Sequence, residues 1–156
     1  MPHDHRVFLV VVDDSPELNT ALHFACLRAR HTGGHVALLY VIEPVDGQQW
    51  LSIEHLIRAE KREQAEQTLQ RLGGEAIDWS GRIPALYVRE GDRREELLRL
   101  IEEDESISIL VLGAGTGSEG PGPLVSHVAG RVAGRLRIPI TIVPGALTDS
   151  QLSLLA

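Results

Sequence analysis

The sequence predicts an α/β fold built on a five-stranded, doubly wound parallel sheet with helices on both faces. Apolar runs recur along the chain, and several are continuous rather than alternating, which is typical of strands buried on both faces of a parallel sheet. Segments with apolar residues at helical spacing separate these runs. Strands and helices therefore alternate strictly, with connections long enough for crossovers between parallel strands.

The predicted strands are the five apolar runs in chain order. They are Val7–Val12, Val36–Ile42, Ile83–Val88, Ile107–Leu112 and Ile138–Val143. We expect the third strand to lie near an edge of the sheet, because Pro84 cannot donate a hydrogen bond to a β-ladder.

Capping residues predict where two of the helices begin. Ser15 is a favourable N-cap and Pro16 suits the first helical position, so the first helix is expected to start there. Asp92, followed three residues later by Glu95, predicts a capping box for the third helix.

Glycines and apolar spacing predict the extent of the other helices. The second helix is expected over Gln49–Leu72, with Gly73 and Gly74 ending it. An unbroken apolar stripe over residues 125–136 predicts one continuous last helix. We predict one domain over residues 1–145, followed by a C-terminal tail over residues 146–156 that is expected to be frayed.

Composition and charge exclude several classes of protein. The single cysteine, Cys26, cannot form an internal disulfide. The net charge is −7, and Lys61 is the only lysine, so we expect no nucleic-acid partner. The N-terminus lacks the pattern of a signal peptide, and no apolar run approaches the ~20 residues that span a bilayer. We therefore expect a cytoplasmic protein that does not bind membranes.

The segments that follow the strands are the first place to look for a site, because ligands of open parallel sheets bind outside the carboxyl ends of the strands. Asp13, Asp14 and Ser15 follow the first strand. The fourth is followed by Gly113–Pro123, with five glycines in eleven residues. Such a loop can turn N–H groups towards an anion at a helix N-terminus. A plain surface loop is the alternative, and a turn or cap role for the two aspartates is equally open.

No catalytic set and no metal site are predicted. Ser126 and His127 are adjacent, but neighbouring residues on a helix point about 100° apart. Residues 115–120 spell G-x-G-x-x-G after the fourth strand and are followed by Pro-Gly-Pro, so we do not interpret them as a dinucleotide motif. Weak ATP hydrolysis is the most that the sequence suggests.

Over nearly its whole length the chain resembles the universal stress protein family. The resemblance is carried, in order, by VFLVVVDDS, VALLYVIEP, VREGD, ISILVLGAGTG and VAGRVAGRLRIPITIVP. It implies a Rossmann-like fold of the adenine nucleotide alpha hydrolase type, with strand order 3-2-1-4-5. It also implies homodimerisation, commonly through the last strand.

The family divides into members that bind ATP and members that do not. ATP-binding members carry Gly-x2-Gly-x9-Gly-(Ser/Thr) after the fourth strand. Gly113 matches the first glycine, whereas Thr116, Ser126 and His127 stand at the other positions. The two hydroxyl residues keep hydrogen-bond donors, and a protonated histidine would offset phosphate charge.

Other positions match the family more closely. The resemblance makes Asp13 the aspartate that meets the nucleotide, next to Ser15, and Val41 the residue whose backbone borders adenine. Gly115 and Gly117 supply backbone freedom beside the missing second glycine. The resemblance therefore implies a cytoplasmic regulatory protein that binds ATP or another adenine nucleotide, with Mg²⁺ as a companion ion, between strands one and four. The alternative is a dimeric interaction module that binds no nucleotide.

Overall fold

The computed structural model describes residues 5–44 and 51–156. The elements in chain order are β1 (Val7–Val12), α1 (Leu18–Thr32), β2 (His35–Ile42), α2 (Leu51–Ser80), β3 (Ala85–Glu90), α3 (Arg93–Glu103), β4 (Ile109–Ala114), α4 (Pro123–His127), β5 (Ile140–Pro144) and α5 (Asp149–Leu155). A π-helical turn, Val128–Val132, and a 3-10 turn, Ala133–Arg135, connect α4 to β5.

The five strands form one parallel sheet in the order β3-β2-β1-β4-β5, which confirms the predicted fold class. β1 lies at the centre, where Val10 pairs with Leu38 of β2 and with Val111 of β4. The expected edge position of β3 is also confirmed. β1, β2 and β4 therefore end side by side at the carboxyl edge of the sheet.

Each face of the sheet buries its own core. Along β1, Phe8, Val10 and Val12 face α1 and α2, whereas Leu9 and Val11 face α3 and α4. Successive side chains of a strand point to opposite faces, so a strand covered on both sides must be apolar at every position. This burial explains the continuous run from which β1 was predicted.

Three strands begin two residues later than predicted, at Ala85, Ile109 and Ile140. Two of the preceding residues, Ile107 and Ile138, are nevertheless buried. They extend the apolar run because they fill the core beneath the sheet, although they lie outside the strands.

The start of α1 differs from the prediction. The N-cap is Glu17, without a side-chain hydrogen bond, and the helix begins at Leu18. Ser15 does not cap it, because its N–H and its hydroxyl both donate to Asp13 Oδ1, at 2.9 and 2.6 Å. In contrast, Asp92 is confirmed as the N-cap of α3, since the Glu95 N–H donates to the Asp92 carboxylate at 3.1 Å. The return bond from the Glu95 side chain that would complete the predicted capping box is absent from the described residues.

The prediction that α2 stops at Gly73 and Gly74 is wrong, because the helix continues to Ser80. Leu72 and Ala76 on either side of the glycines are both buried at helical spacing. Their burial outweighs the cost of about 1 kcal/mol that each glycine adds to a helix interior. The expected start at Gln49 lies outside the described residues.

The predicted continuous last helix is also wrong. α4 ends at His127, and the chain goes on through the π-helical and 3-10 turns. Val128 is fully buried, but Gly130 and Gly134 are exposed, so no burial at these two positions offsets their weak helix propensity. Regular α-helical bonding is lost where these glycines occur.

The C-terminal tail is ordered rather than frayed. Thr148 and Gln151 form a capping box for α5, and Leu152 is buried against α1. The His31 ring nitrogen Nδ1 lies 2.9 Å from the Ala156 backbone oxygen, which holds the end of the helix on α1. No helix in the described part of the chain is long and apolar enough to cross a membrane.

Candidate functional site

A small crevice lies at the carboxyl edge of the sheet, between the ends of β1 and β4. Asp13, Ser15 and Gly113 line it together with Glu17 and Arg93, and its volume is about 100 Å³. The segment Pro121–Val125 forms another of its walls. Three of the residues predicted for the site therefore meet in one cavity.

Asp13 is held in place by the turn that follows β1. Its Oδ1 accepts both hydrogen bonds from Ser15 described above, so the carboxylate is oriented by its own loop. The residue is half-buried. A carboxylate fixed in this way can accept a hydrogen bond from a ligand hydroxyl without first losing side-chain entropy.

Gly113 allows α1 to approach the end of β4 closely. A Cβ built at Gly113 would lie 2.8 Å from the Glu17 carbonyl oxygen and 3.1 Å from Glu17 Cγ. At Gly115, a Cβ would lie 3.4 Å from Glu17 Oε1. The space above Gly113 is therefore occupied by Glu17, whereas the atom nearest to a Cβ at Gly115 is the Gly120 carbonyl oxygen, at 3.1 Å.

The glycine-rich loop after β4 closes on itself. The Gly115 N–H donates to the Pro121 carbonyl at 3.0 Å, and the Gly120 N–H donates to the Gly117 carbonyl at 3.2 Å. Thr116 and Gly117 are exposed. Two amides that were expected to face an anion thus already have partners within the loop.

The remaining predicted residues of this region do not line the crevice. Ser126 lies in the first turn of α4, where its N–H donates to the Gly122 carbonyl at 3.0 Å, and it is exposed. His127 follows it and is half-buried. Their assignment to the site, like that of Gly115, Thr116 and Gly117, stays a prediction.

Val41 lies in a neighbouring cavity. This second cavity has a volume of about 160 Å³, and its walls include Val41, Glu43, Lys61 and Arg93. Val41 itself is 3% exposed, so its side chain belongs to the core. Arg93 lines both cavities, which makes it the residue that connects the end of β2 with the crevice between β1 and β4.

Sequence reasoning missed Glu17 and Arg93. Glu17 stands just before the first apolar residue of α1, where its carboxylate was indistinguishable from any exposed first-turn acid. Arg93 belongs to the Arg93-Arg94 pair that follows the Asp92 cap, a pattern typical of a solvated helix face. The one useful signal was that Arg93 directly follows the capping residue Asp92, and a helix that follows a parallel strand begins at the carboxyl edge of the sheet.

Comparison with known proteins identifies the class of protein. A model of the universal stress protein family matches residues 5–144. The chain therefore belongs to the universal stress protein family. The comparison with curated proteins finds no significant match.

Solved structures share the fold. The universal stress protein UspA from Lactobacillus plantarum is 17% identical, with a TM-score of 0.73 over 91% of this chain and 99% of that one. A universal stress protein in complex with cAMP is 15% identical, with a TM-score of 0.63 over 90% and 98%. The Archaeoglobus fulgidus universal stress protein in complex with dAMP is 19% identical, with a TM-score of 0.57 over 89% and 97%. At these identities the likeness establishes the fold alone.

Proposed function

We propose that this protein is a cytoplasmic regulatory protein that binds an adenine nucleotide with a single phosphate. The observation that carries the proposal is the crevice lined by Asp13, Ser15 and Gly113, joined by Arg93 to the cavity at Val41. The proposal is supported by the family membership and by two relatives of the same fold whose ligands are cAMP and dAMP.

Charge and loop geometry favour one phosphate over three. The outer phosphates of ATP would extend towards the loop after β4, according to the family resemblance. There Glu17 presents a carboxylate beside Gly115, and the Gly115 and Gly120 amides already have partners. Like charges this close repel each other, so the outer phosphates of ATP are disfavoured beside Glu17.

The size of the crevice gives the proposed mechanism. Sites for small ligands usually measure about 300–1,000 Å³, which exceeds both the crevice and the cavity at Val41. A cavity of about 300 Å³ also reaches Asp13 and Ser15, but it opens towards Arg71 of α2 rather than towards β4. Binding would therefore move the Pro121–Val125 wall outward and select a more open state of the loop. A partner protein would then bind the changed surface beside α4.

Calorimetric titration with adenosine, AMP, cAMP and ATP with Mg²⁺ tests the proposal. We expect AMP or cAMP to bind more tightly than ATP. Heat from ATP alone, or no heat from any of the four at millimolar concentration, would contradict it.

A matched pair of variants tests the aspartate. With uncharged adenosine as ligand, Asp13→Asn should weaken binding about tenfold, because a charge-assisted hydrogen bond to a ribose hydroxyl becomes a neutral one. Asparagine can still accept from Ser15, so the turn is preserved. Asp78→Asn is the control, since Asp78 is exposed on α2 and does not line the cavities around Asp13 or Val41. Equal effects of the two variants would argue against a ligand role for Asp13.

A dimeric interaction module is the second candidate, and the open edge of β5 favours it. Ile142 of β5 is 40% exposed, although it lies within a sheet strand. Exposed edge strands pair readily with other chains. Dimerisation through β5 is compatible with nucleotide binding, and it would be the main function if no nucleotide bound.

The register of β5 selects the variant for a dimer test. The Leu110 N–H donates to the Pro139 carbonyl, so Thr141, two residues on, also points its N–H towards β4. The Ile142 N–H then faces the open edge. Ile142→Pro should dissociate a β5-paired dimer in light scattering. Ile83→Ser, which changes an exposed residue just before β3 at the opposite edge of the sheet, should not. A dimer that survives Ile142→Pro must use another surface.

A further inference from the structure

Among the described residues that line the crevice, Arg93 is the only one with a positive charge. The other two charged side chains there are Asp13 and Glu17. A phosphate entering between them needs a cation, because burying an unpaired negative charge is strongly unfavourable. Arg93 is therefore the candidate for neutralising the charge of the phosphate.

Arg93 also has unused hydrogen-bonding capacity. Its Nε is buried and has no hydrogen-bond partner within the described residues. Its Nη2 lies 3.6 Å from Glu43 Oε1, which is an ion pair too long for a hydrogen bond. A guanidinium has five N–H donors, and a buried donor without an acceptor carries a desolvation cost.

Two neighbouring basic side chains, in contrast, already have hydrogen-bond partners. Arg58 donates to Glu90 at 3.1 Å, and the Lys61 ammonium donates to the Glu43 carbonyl at 3.2 Å. These contacts fix both side chains over the ends of β2 and β3.

The position of Arg93 on the backbone is fixed by the turn after β3. Gly91 has a φ of +144°, a conformation that favours glycine, and the Asp92 cap holds the first turn of α3. The Cα of Arg93 is therefore anchored on a rigid element, while its long side chain reaches across the two cavities. This arrangement resembles a preorganised phosphate clamp more than a solvated surface arginine.

We propose that Arg93 binds the phosphate of the nucleotide and sets the preference for a single phosphate group. This inference rests on the proposed function. Arg93, a side chain of α3, would then bind the phosphate in place of the backbone amides after β4. The planar guanidinium donates to two phosphate oxygens, while the adenosine part occupies the space between Asp13 and Val41.

Calorimetry with AMP and adenosine tests this role. Arg93→Gln should weaken AMP binding roughly ten- to a hundredfold, because two charge-assisted hydrogen bonds are lost. Adenosine, which has no phosphate, should bind within about twofold of the wild type. Arg94→Gln is the matched control, since it removes the same charge from the next, exposed residue of α3.

A pH titration adds a readout that a structural role would not change. The second ionisation of a phosphate monoester has a pKa of about 6. Wild-type affinity for AMP should therefore rise between pH 5 and 7.5 as the dianion forms, and Arg93→Gln should flatten this rise. Arg93→Lys should restore part of the pH dependence, because it retains the positive charge.

The outcomes separate the two proposals. If the wild type binds AMP and Arg93→Gln binds it equally well, the role of Arg93 is overturned and the proposed function stands. If Arg93→Gln weakens AMP and adenosine alike, Arg93 is structural and the inference fails. If the wild type binds neither AMP nor adenosine, the proposed function itself is overturned.

Discussion

Substituting Gly113 by alanine tests whether this glycine serves packing rather than a ligand. The added Cβ would lie 2.8 Å from the Glu17 carbonyl oxygen and 3.2 Å from Glu17 Cβ. The closest contact is with backbone at the start of α1, which cannot rotate away as a flexible side chain could. The helix start and the end of β4 must therefore move apart by several tenths of an ångström.

The expected cost follows from this overlap. Overpacking a close-packed core costs typically about 1–3 kcal/mol. In a chain of this size, 1 kcal/mol lowers the melting temperature by roughly 2–4 °C. Gly113→Ala should thus lower the melting temperature by about 2–12 °C without any ligand present.

Gly117→Ala is the matched control in the same loop. A Cβ at Gly117 meets nothing within 4 Å, and the backbone there does not require glycine. This variant should be neutral or slightly stabilising, because alanine restricts the unfolded chain. Urea unfolding of both ligand-free variants measures the difference. If Gly113→Ala proved as stable as Gly117→Ala, the close approach of α1 to β4 would be refuted.

Three further predictions concern charge, the C-terminal helix and acid stability. In calorimetry, Glu17→Gln should strengthen ATP binding by about 1 kcal/mol more than AMP binding, because it removes the repulsion between Glu17 and the outer phosphates. An equal change for both ligands would place Glu17 away from the outer phosphates. Leu152→Ala should lower the free energy of unfolding in urea by about 2–5 kcal/mol, because Leu152 is buried. Leu154→Ala should lower it little, because Leu154 is 88% exposed. Similar values for the two variants would mean that α5 does not pack on α1. Hydrogen bonds from Ser106 and from Tyr87 hold the pKa of Asp104 below its ordinary value of 3.8. The ionised carboxylate therefore stabilises the folded protein above pH 3.8, and this stabilisation is lost as the pH falls through the pKa of the folded state. The unfolding free energy of Asp104→Asn should therefore fall less steeply in acid than that of the wild type, and parallel curves would contradict this.

The central strands could be predicted because burial on both faces leaves a pattern in the sequence itself. β1 is apolar at every position, and its ends were predicted without error. The end of α2 could not be predicted in the same way. Gly73 and Gly74 are a local stop signal, but the burial of Ala76 beyond them depends on contacts that only the folded chain supplies.

The candidate site divides along the same line. The carboxyl ends of the strands were visible in the sequence, so Asp13 and Gly113 could be placed at one edge of the sheet. The side chain that covers Gly113, Glu17, could not be predicted, since it depends on where α1 begins. The internal hydrogen bond from Gly115 to Pro121 is equally invisible, because glycine content indicates that a loop can bend but not which carbonyl its amides reach.

The most direct test of the account is a titration of the ¹⁵N-labelled protein with AMP, followed by NMR. We expect the largest amide shifts at residues around the crevice, namely Asp13, Val41, Arg93 and Gly113, with smaller shifts along the Pro121–Val125 wall. Shifts that cluster on α2 or β5, or a spectrum unchanged at millimolar AMP, would contradict the claim that the edge between β1 and β4 is a nucleotide site.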